Sequence, residues 1–298
     1  MHQNHLATWG DHSLPALGVG AMPFSWEPVA DHDHAVSVLH HAFDAGMTLV
    51  NTADIYAPSA AAVGHNERLV GDAVRAYPRG REALTVITKN GLRREGERWW
   101  RDNSRDWMLQ AAEHSVEMLG FVPDAIAVHR VNREQSWAEC VEALLEVRER
   151  GLAKRIGLSN VTRAEFDAAW DISGGTIVMV EQERSPYYRE HTDVLDAAAE
   201  RGVAYLAWSP LGGSGKVRGL AEANPAFAEV ARRHQSTAHN IALAWLMAQG
   251  PHCIPIPGFT RFETVDAAAA AAHITLSADD LALLNASPSG PSSNDDDF

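Results

Sequence analysis

Cysteine is nearly absent from this chain. Two residues in 298, Cys140 and Cys253, lie far apart and form neither a metal-spaced pair nor a disulfide framework. That scarcity fits a reducing compartment, and the expected location is the cytoplasm. No apolar run approaches the roughly 20 residues that a membrane span requires. The opening "MHQNHLATWGDH" lacks the basic-then-apolar layout of a secretion signal. Long runs of Lys and Arg are missing too, and the formal net charge is -14. Bulk electrostatics therefore exclude nucleic acid as a partner, although a local cluster of donors could still hold an anionic cofactor. No GxGxxG follows the first apolar run; "LGVGAMPF" is not that fingerprint, which removes a Rossmann reading. Histidine is plentiful at 15, but no HxH closes a strand. In "DHDHAVSVLHHAF", His32 and His34 sit at a helix start and His40 and His41 point apart, so a metal-dependent hydrolase is disfavoured. Asp31 is expected to cap that helix.

What is present is alternation. Eight short β-rich runs appear: "ALGVG" (16–20), "TLVNTAD" (48–54), "LTVITK" (84–89), "AIAVHR" (125–130), "RIGLSN" (155–160), "TIVMVEQ" (176–182), "AYLAWSP" (204–210) and "IPIPG" (254–258). Amphipathic helical patterns separate them, at 34–45, from "NSRDWMLQ" to Gly120, from Ser136 to Gly151, and at 189–201, 223–234, 237–249 and 262–272. Strands alternating with helices and no linker composition between them predict one α/β domain with a parallel sheet. Eight units in about 240 residues fit a closed (β/α)8 TIM barrel. The first residues predict a β-hairpin around Gly10-Asp11 that plugs the N-terminal mouth. The domain is expected over 1–287, with a polar flexible tail over 288–298.

The working face of such a barrel is the C-terminal end of its strands. The strand ends carry Asn51, Asp54 and Tyr56, then Lys89, His129, Ser159 and Asn160, Glu181 and Gln182, Trp208 and Ser209, and Gly258. Taken singly, each has an ordinary packing or surface role. Jointly, a phenol, an ammonium and an imidazole on three successive strand ends converge on one mouth. The ammonium favours phenolate and is expected to lower the Tyr56 pKa, which suits general acid catalysis.

At these residues the chain resembles the aldo-keto reductases. The resemblance covers nearly the whole chain and rests on "TLVNTADIYAPSAAAVGHNERLVGDAV", "VITKNG", "DAIAVHR", "GLAKRIGLSN", "AYLAWSPLGG" and "IPIPGFTR". It implies a (β/α)8 barrel that binds NADPH across its C-terminal face and reduces aldehydes or ketones. By that resemblance Tyr56 is the proton donor, Lys89 its partner and His129 the imidazole that orients the carbonyl. Ser159, Asn160 and Glu181 fall where the nicotinamide amide is held, and Trp208 where a ring stacks on the nicotinamide. Ser209, Leu211 and Gly213 fall on the pyrophosphate loop, and Thr260 and Arg261 at the 2′-phosphate. Gly20, Met22 and Gly258 complete the implied cofactor contacts.

The chain departs from the family pattern in three places. Asn51 stands where the family has a catalytic Asp, which is expected to leave Lys89 without its counterion. Asp54 has the wrong strand parity to replace it and is expected to bond the local turn. Glu181 stands where the family usually has Gln; either it accepts from the carboxamide or a bulge brings Gln182 inward. Ala267 and Ala268 stand where an adenine clamp is common. Phe24, Trp26, Trp99 and Trp100 are expected to line a pocket for an apolar carbonyl compound; for the tryptophans, "ERWWRD" folding back on its own helix is the competing reading. The alternative function is an NADPH-binding regulatory or sensor protein with little turnover. The partner expected is a small carbonyl substrate, with no membrane and at most weak self-association.

Overall fold

The computed structural model describes residues 7–9, 12–26, 29–213 and 215–290. The expected turn at Gly10-Asp11, and the part of the expected tail from 291 onward, lie outside them.

Eight parallel strands make one sheet: Val19–Gly20, Leu49–Asn51, Thr85–Asn90, Ala125–Val128, Ile156–Ser159, Ile177–Glu183, Ala204–Trp208 and Cys253–Pro255. They are strands one to eight, and each neighbours the next in chain order. Strand one also meets strand eight. The N–H groups of Gly18 and Gly20 donate to the carbonyls of Pro255 and Pro257 at 3.0 and 2.9 Å, and Gly20 bridges Gly258. The sheet therefore closes into the (β/α)8 barrel that alternation predicted. Glycine is required at this seam, because a Cβ on Gly20 would stand 2.8 Å from the Ile256 carbonyl oxygen.

Helices wrap the barrel where the sequence placed them. Asp31 caps His32–Asp44 through the His34 N–H at 3.0 Å. Ser136 caps Trp137–Glu149, and Gly120, at φ +77°, ends Arg105–Leu119. Several elements were not anticipated, among them the helices His65–Arg75 after strand two and Arg163–Ile172 after strand five. A hairpin, Leu92–Glu95 with Arg98–Arg101, follows strand three. A last helix, Ala278–Asn285, opens on a capping box formed by Ser277 and Asp280. No helix among the described residues is long and apolar enough to cross a membrane.

Strand side chains alternate, so one set faces the barrel axis and the other faces the helices. The inner set packs Leu49, Ile87, Ala125, Ala127, Met179, Ala204, Leu206, Ile254 and Ile256 together with Trp9 and Leu14 from the N-terminal hairpin. That hairpin, Thr8–Trp9 with His12–Ser13, thus fills the bottom of the cylinder as expected. Trp9 is fastened there by its indole N–H, which donates to the Val178 carbonyl at 3.2 Å. The outer set joins the helices in two larger apolar shells.

Candidate active site

The period of two that builds the inner core also builds the site. Two positions above Leu49 stands Asn51; above Ile87, Lys89; above Ala127, His129; above Met179, Glu181; above Leu206, Trp208. Ser159 occupies the matching place on strand five. The top inward layer is polar while the layers beneath it are apolar. Such groups stay in place because they satisfy one another.

Lys89 is the centre of this layer and has no exposed surface. Its Nζ donates to Asn51 Oδ1 at 2.5 Å and to the Thr52 carbonyl at 2.9 Å. It lies 3.2 Å from Glu181 Oε1, and Asn51 Nδ2 donates to Glu181 Oε2 at 2.7 Å. Burial works against the ammonium, but Glu181 and Tyr56 overcome it and raise the Lys89 pKa above its ordinary value. Lys89 is therefore not left without a counterion by Asn51; Glu181 supplies the charge from across the barrel. The Gln182 side chain does not turn into the site, since its amide donates to the Val161 carbonyl.

Tyr56 sits on the turn after strand two, 5.2 Å from Lys89 Nζ to its ring centroid. Its ring meets His129 edge to face at 5.6 Å and 82°. Burial raises the Tyr56 pKa, with Lys89 opposing and Glu181 adding to the rise. The expected fall is not found, because burial and the Glu181 charge together outweigh the ammonium. A phenol held protonated remains a competent proton donor. Burial, Lys89 and Arg130 lower the His129 pKa well below its ordinary value, so the imidazole is neutral. Its Nδ1 is enclosed and has no protein partner. Phenol, ammonium and neutral imidazole meet at the open end of the barrel, as the strand ends implied.

A family model, "Aldo/keto reductase family", matches residues 16–287. The chain belongs to the aldo/keto reductase family. Pyridoxine 4-dehydrogenase of Escherichia coli is 30% identical over 290 residues, spanning 93% of this chain and 96% of the relative. Methylglyoxal reductase YeaE, also of Escherichia coli, is 27% identical and spans 96% and 95% of the two chains. A thermostable aldo-keto reductase, Tm1743, solved with the inhibitor epalrestat, superposes with a TM-score of 0.78 at 27% identity, covering 96% of this chain and 99% of that one. The fold of a Klebsiella pneumoniae aldo-keto reductase solved with NADPH matches with a TM-score of 0.78 at 23% identity, over 96% and 95%. The chain is thus an oxidoreductase of a family that binds a nicotinamide cofactor.

The remaining positions singled out by this aldo/keto reductase sequence separate into rim and core. Asn160 and Ser209 leave strands five and seven in the left-handed region, at φ 55° and 46°. These turns swing the chain outward at the rim. The Trp208 indole N–H donates to Asn160 Oδ1 at 3.1 Å, and Asn160 Nδ2 donates to the His129 carbonyl and to Ser159 Oγ, both at 2.9 Å. Strands four, five and seven are tied together by that one amide. Leu211 is half-buried against both shells, and Gly213 turns at φ 78°. Thr260 and Arg261 are exposed at the start of helix Phe262–Ala271, where Gly258 closes the seam. Met22 is 41% exposed beside it.

The aromatic positions divide. Trp26 is exposed and lies 6.3 Å from Trp99, and Trp99 packs against the cluster that holds Tyr56. Successive residues of a strand face opposite ways, and Trp100 is accordingly stacked between Arg93 and Arg98 on the other face. Phe24 has no exposed surface and belongs to the shell core, so it does not line the mouth. Asp54 is turned outward, where it accepts from Asn90 Nδ2 at 3.0 Å. The histidines of the first helix are engaged separately: His40 with the Ala73 carbonyl, His41 with Asp266.

Sequence reasoning missed the Thr52 carbonyl as a partner of Lys89. It also missed a polar layer behind the barrel wall, where Thr88 donates to Glu67 and Asn90 to Asp54 and Ser115. The available signal was Thr88 and Asn90 flanking Lys89 in a strand with no exposed residue.

Proposed function

We propose that this protein reduces aldehydes or ketones to alcohols with NADPH, with Tyr56 as the proton donor. The observation that carries the reading is a partly buried phenol between a charged amine and a neutral, unpartnered imidazole nitrogen. The carbonyl oxygen would sit between the Tyr56 hydroxyl and His129, which stabilise its developing charge. Tyr56 then gives up its proton, and Lys89 stabilises the phenolate left behind.

Bound NADPH supplies the hydride. The residues offered to it are Trp208, Ser159 and Asn160 at the nicotinamide, the left-handed turn from Ser209 through Leu211 to Gly213 at the pyrophosphate, and Thr260 with Arg261 at the 2′-phosphate. The last pair stands at a ten-residue helix N-terminus, a favourable place for phosphate. The exposed Arg261 guanidinium added there favours NADPH over NADH. Trp26 and Trp99 flank the mouth and favour an apolar or aromatic carbonyl compound.

Reading the chain as a cofactor-binding regulator drew on Asn51 as a lost counterion. With Glu181 beside Lys89 that reason is gone. The test is an NADPH-oxidation screen over aromatic and aliphatic carbonyls. Tyr56→Phe should lose about 10²-fold or more in kcat, the scale of a general acid, while still quenching NADPH fluorescence. Full activity in Tyr56→Phe would remove the phenol from the role given to it.

A further inference from the structure

We propose that Glu181 is the positioning carboxylate that keeps Lys89 charged, and that Asn51 is a fitted amide coupling the two. The electrostatic claim stands on geometry alone; only its catalytic consequence rests on the reductase reading above.

The argument begins with what an amide can do that a carboxylate cannot. Asn51 accepts from Lys89 through Oδ1 at 2.5 Å and donates to Glu181 through Nδ2 at 2.7 Å. An ionised Asp at 51 would have no proton to give. Its second oxygen would face Glu181 Oε2 across the same short gap, and two anions so close cannot both remain ionised. Conversely, Gln at 181 would keep an acceptor oxygen but no charge, leaving Lys89 among neutral oxygens only, those of Asn51 and Thr52 included. A fully buried ammonium would then lack a countercharge. Only two of four combinations therefore balance: Asn with Glu, or Asp with Gln.

Other ionisable groups around Lys89 do not replace Glu181. Tyr56 and His129 face it from the turn after strand two and from the end of strand four, and both are neutral as found. Arg130, adjacent to His129, adds positive charge at the same mouth. Asp54, on the turn after strand two, and Glu67, on the helix after that turn, lie on the outward side of strand three. Burial pushes both carboxyls up, Glu67 to about 7. Asp54 accepts from Asn90 and Glu67 from Thr88, so their hydrogen bonds run away from Lys89.

The four-member cycle of parent, Asn51→Asp, Glu181→Gln and the double exchange tests this. The chain has three lysines, Lys89, Lys154 and Lys216. With 13C at lysine Cε, the resonance lost in Lys89→Arg identifies Lys89 in the ligand-free protein. In Glu181→Gln its proton affinity should fall at least about tenfold, the scale of removing one close countercharge. Adding Asn51→Asp should restore most of that loss. Where the protein reduces carbonyls, the high-pH limb of the kcat profile should move in the same order. A Lys89 titration unchanged in Glu181→Gln, or a double exchange no better than the single one, overturns the proposal. If Glu181→Gln does not fold, rescue of folding by Asn51→Asp supports the coupling and its absence overturns it. If Lys89 titrates as expected but no variant oxidises NADPH, the reductase reading fails and the counterion assignment stands.

Discussion

At the scale of single residues, burial decides which charges the structure tolerates. Glu67 shows this outside the polar layer around Lys89. It has no exposed surface, one carboxylate oxygen accepts from Thr88 at 2.6 Å, and Oε2 has no protein partner. Burial raises its pKa from 4.5 to about 7. The folded state therefore holds this proton more tightly than the unfolded chain does. Stability from Glu67 is fully present below its unfolded value and is lost as pH rises through about 7. A shift of that size corresponds to roughly 3 kcal/mol by linkage. Urea midpoints measured at pH 5.5 and 8.5 should fall with pH in the parent. They should fall less in Glu67→Gln, since the amide cannot ionise. Equal slopes in the two proteins would show that Glu67 is not the responsible group. Nothing in the pattern of "HNERLVG" marks this residue as enclosed. Only the packing of that helix against strand three encloses it.

At the scale of elements, the alternation within each strand explains both core and site. Inward positions run from apolar to polar as strands two to seven rise, so the groups proposed for catalysis stand directly on the core that fixes them. That pattern was legible: Lys89 and His129 close apolar runs, and Tyr56 follows one after a short turn. The elements that pattern alone could not give are those set by contact. The hairpin carrying Trp99 and Trp100 alternates too, and it sends the two rings to opposite faces. The seam between strands one and eight is another contact-dependent feature. Neither strand's hydropathy shows that Gly20 must lie against the Ile256 carbonyl. Gly20→Ala should destabilise the barrel by about 1–3 kcal/mol, the usual cost of overpacking. Hydrogen exchange should speed most at the Gly18 and Gly20 amides, which bond strand eight. Unaltered protection there would mean that the seam can yield without opening.

At the scale of the whole molecule, the two ends of the cylinder do different work. The N-terminal hairpin seals the bottom through Trp9, and the inward polar groups crowd the top. Trp9 is 3% exposed and packs beneath the full depth of the inner core. Trp9→Ala should cost about 3–5 kcal/mol, as for other large aromatic truncations, and should lower the urea midpoint accordingly. The order of preference among carbonyl substrates should not change, because the proposed pocket lies at the other end. A changed preference would show that the plug and the mouth are mechanically linked.

The sequence by itself determined the cylinder and the strand ends that carry the phenol, the ammonium and the imidazole. Those follow from local periodicity and from which residue types close each run. Tertiary structure alone decided the ionic pairing. Asn51 and Glu181 are 130 positions apart, and each read singly looks like a defect in the family pattern. Closing the barrel brings strands two, three and six around one buried amine. The low dielectric there makes a matched amide and carboxylate count as a single electrostatic unit.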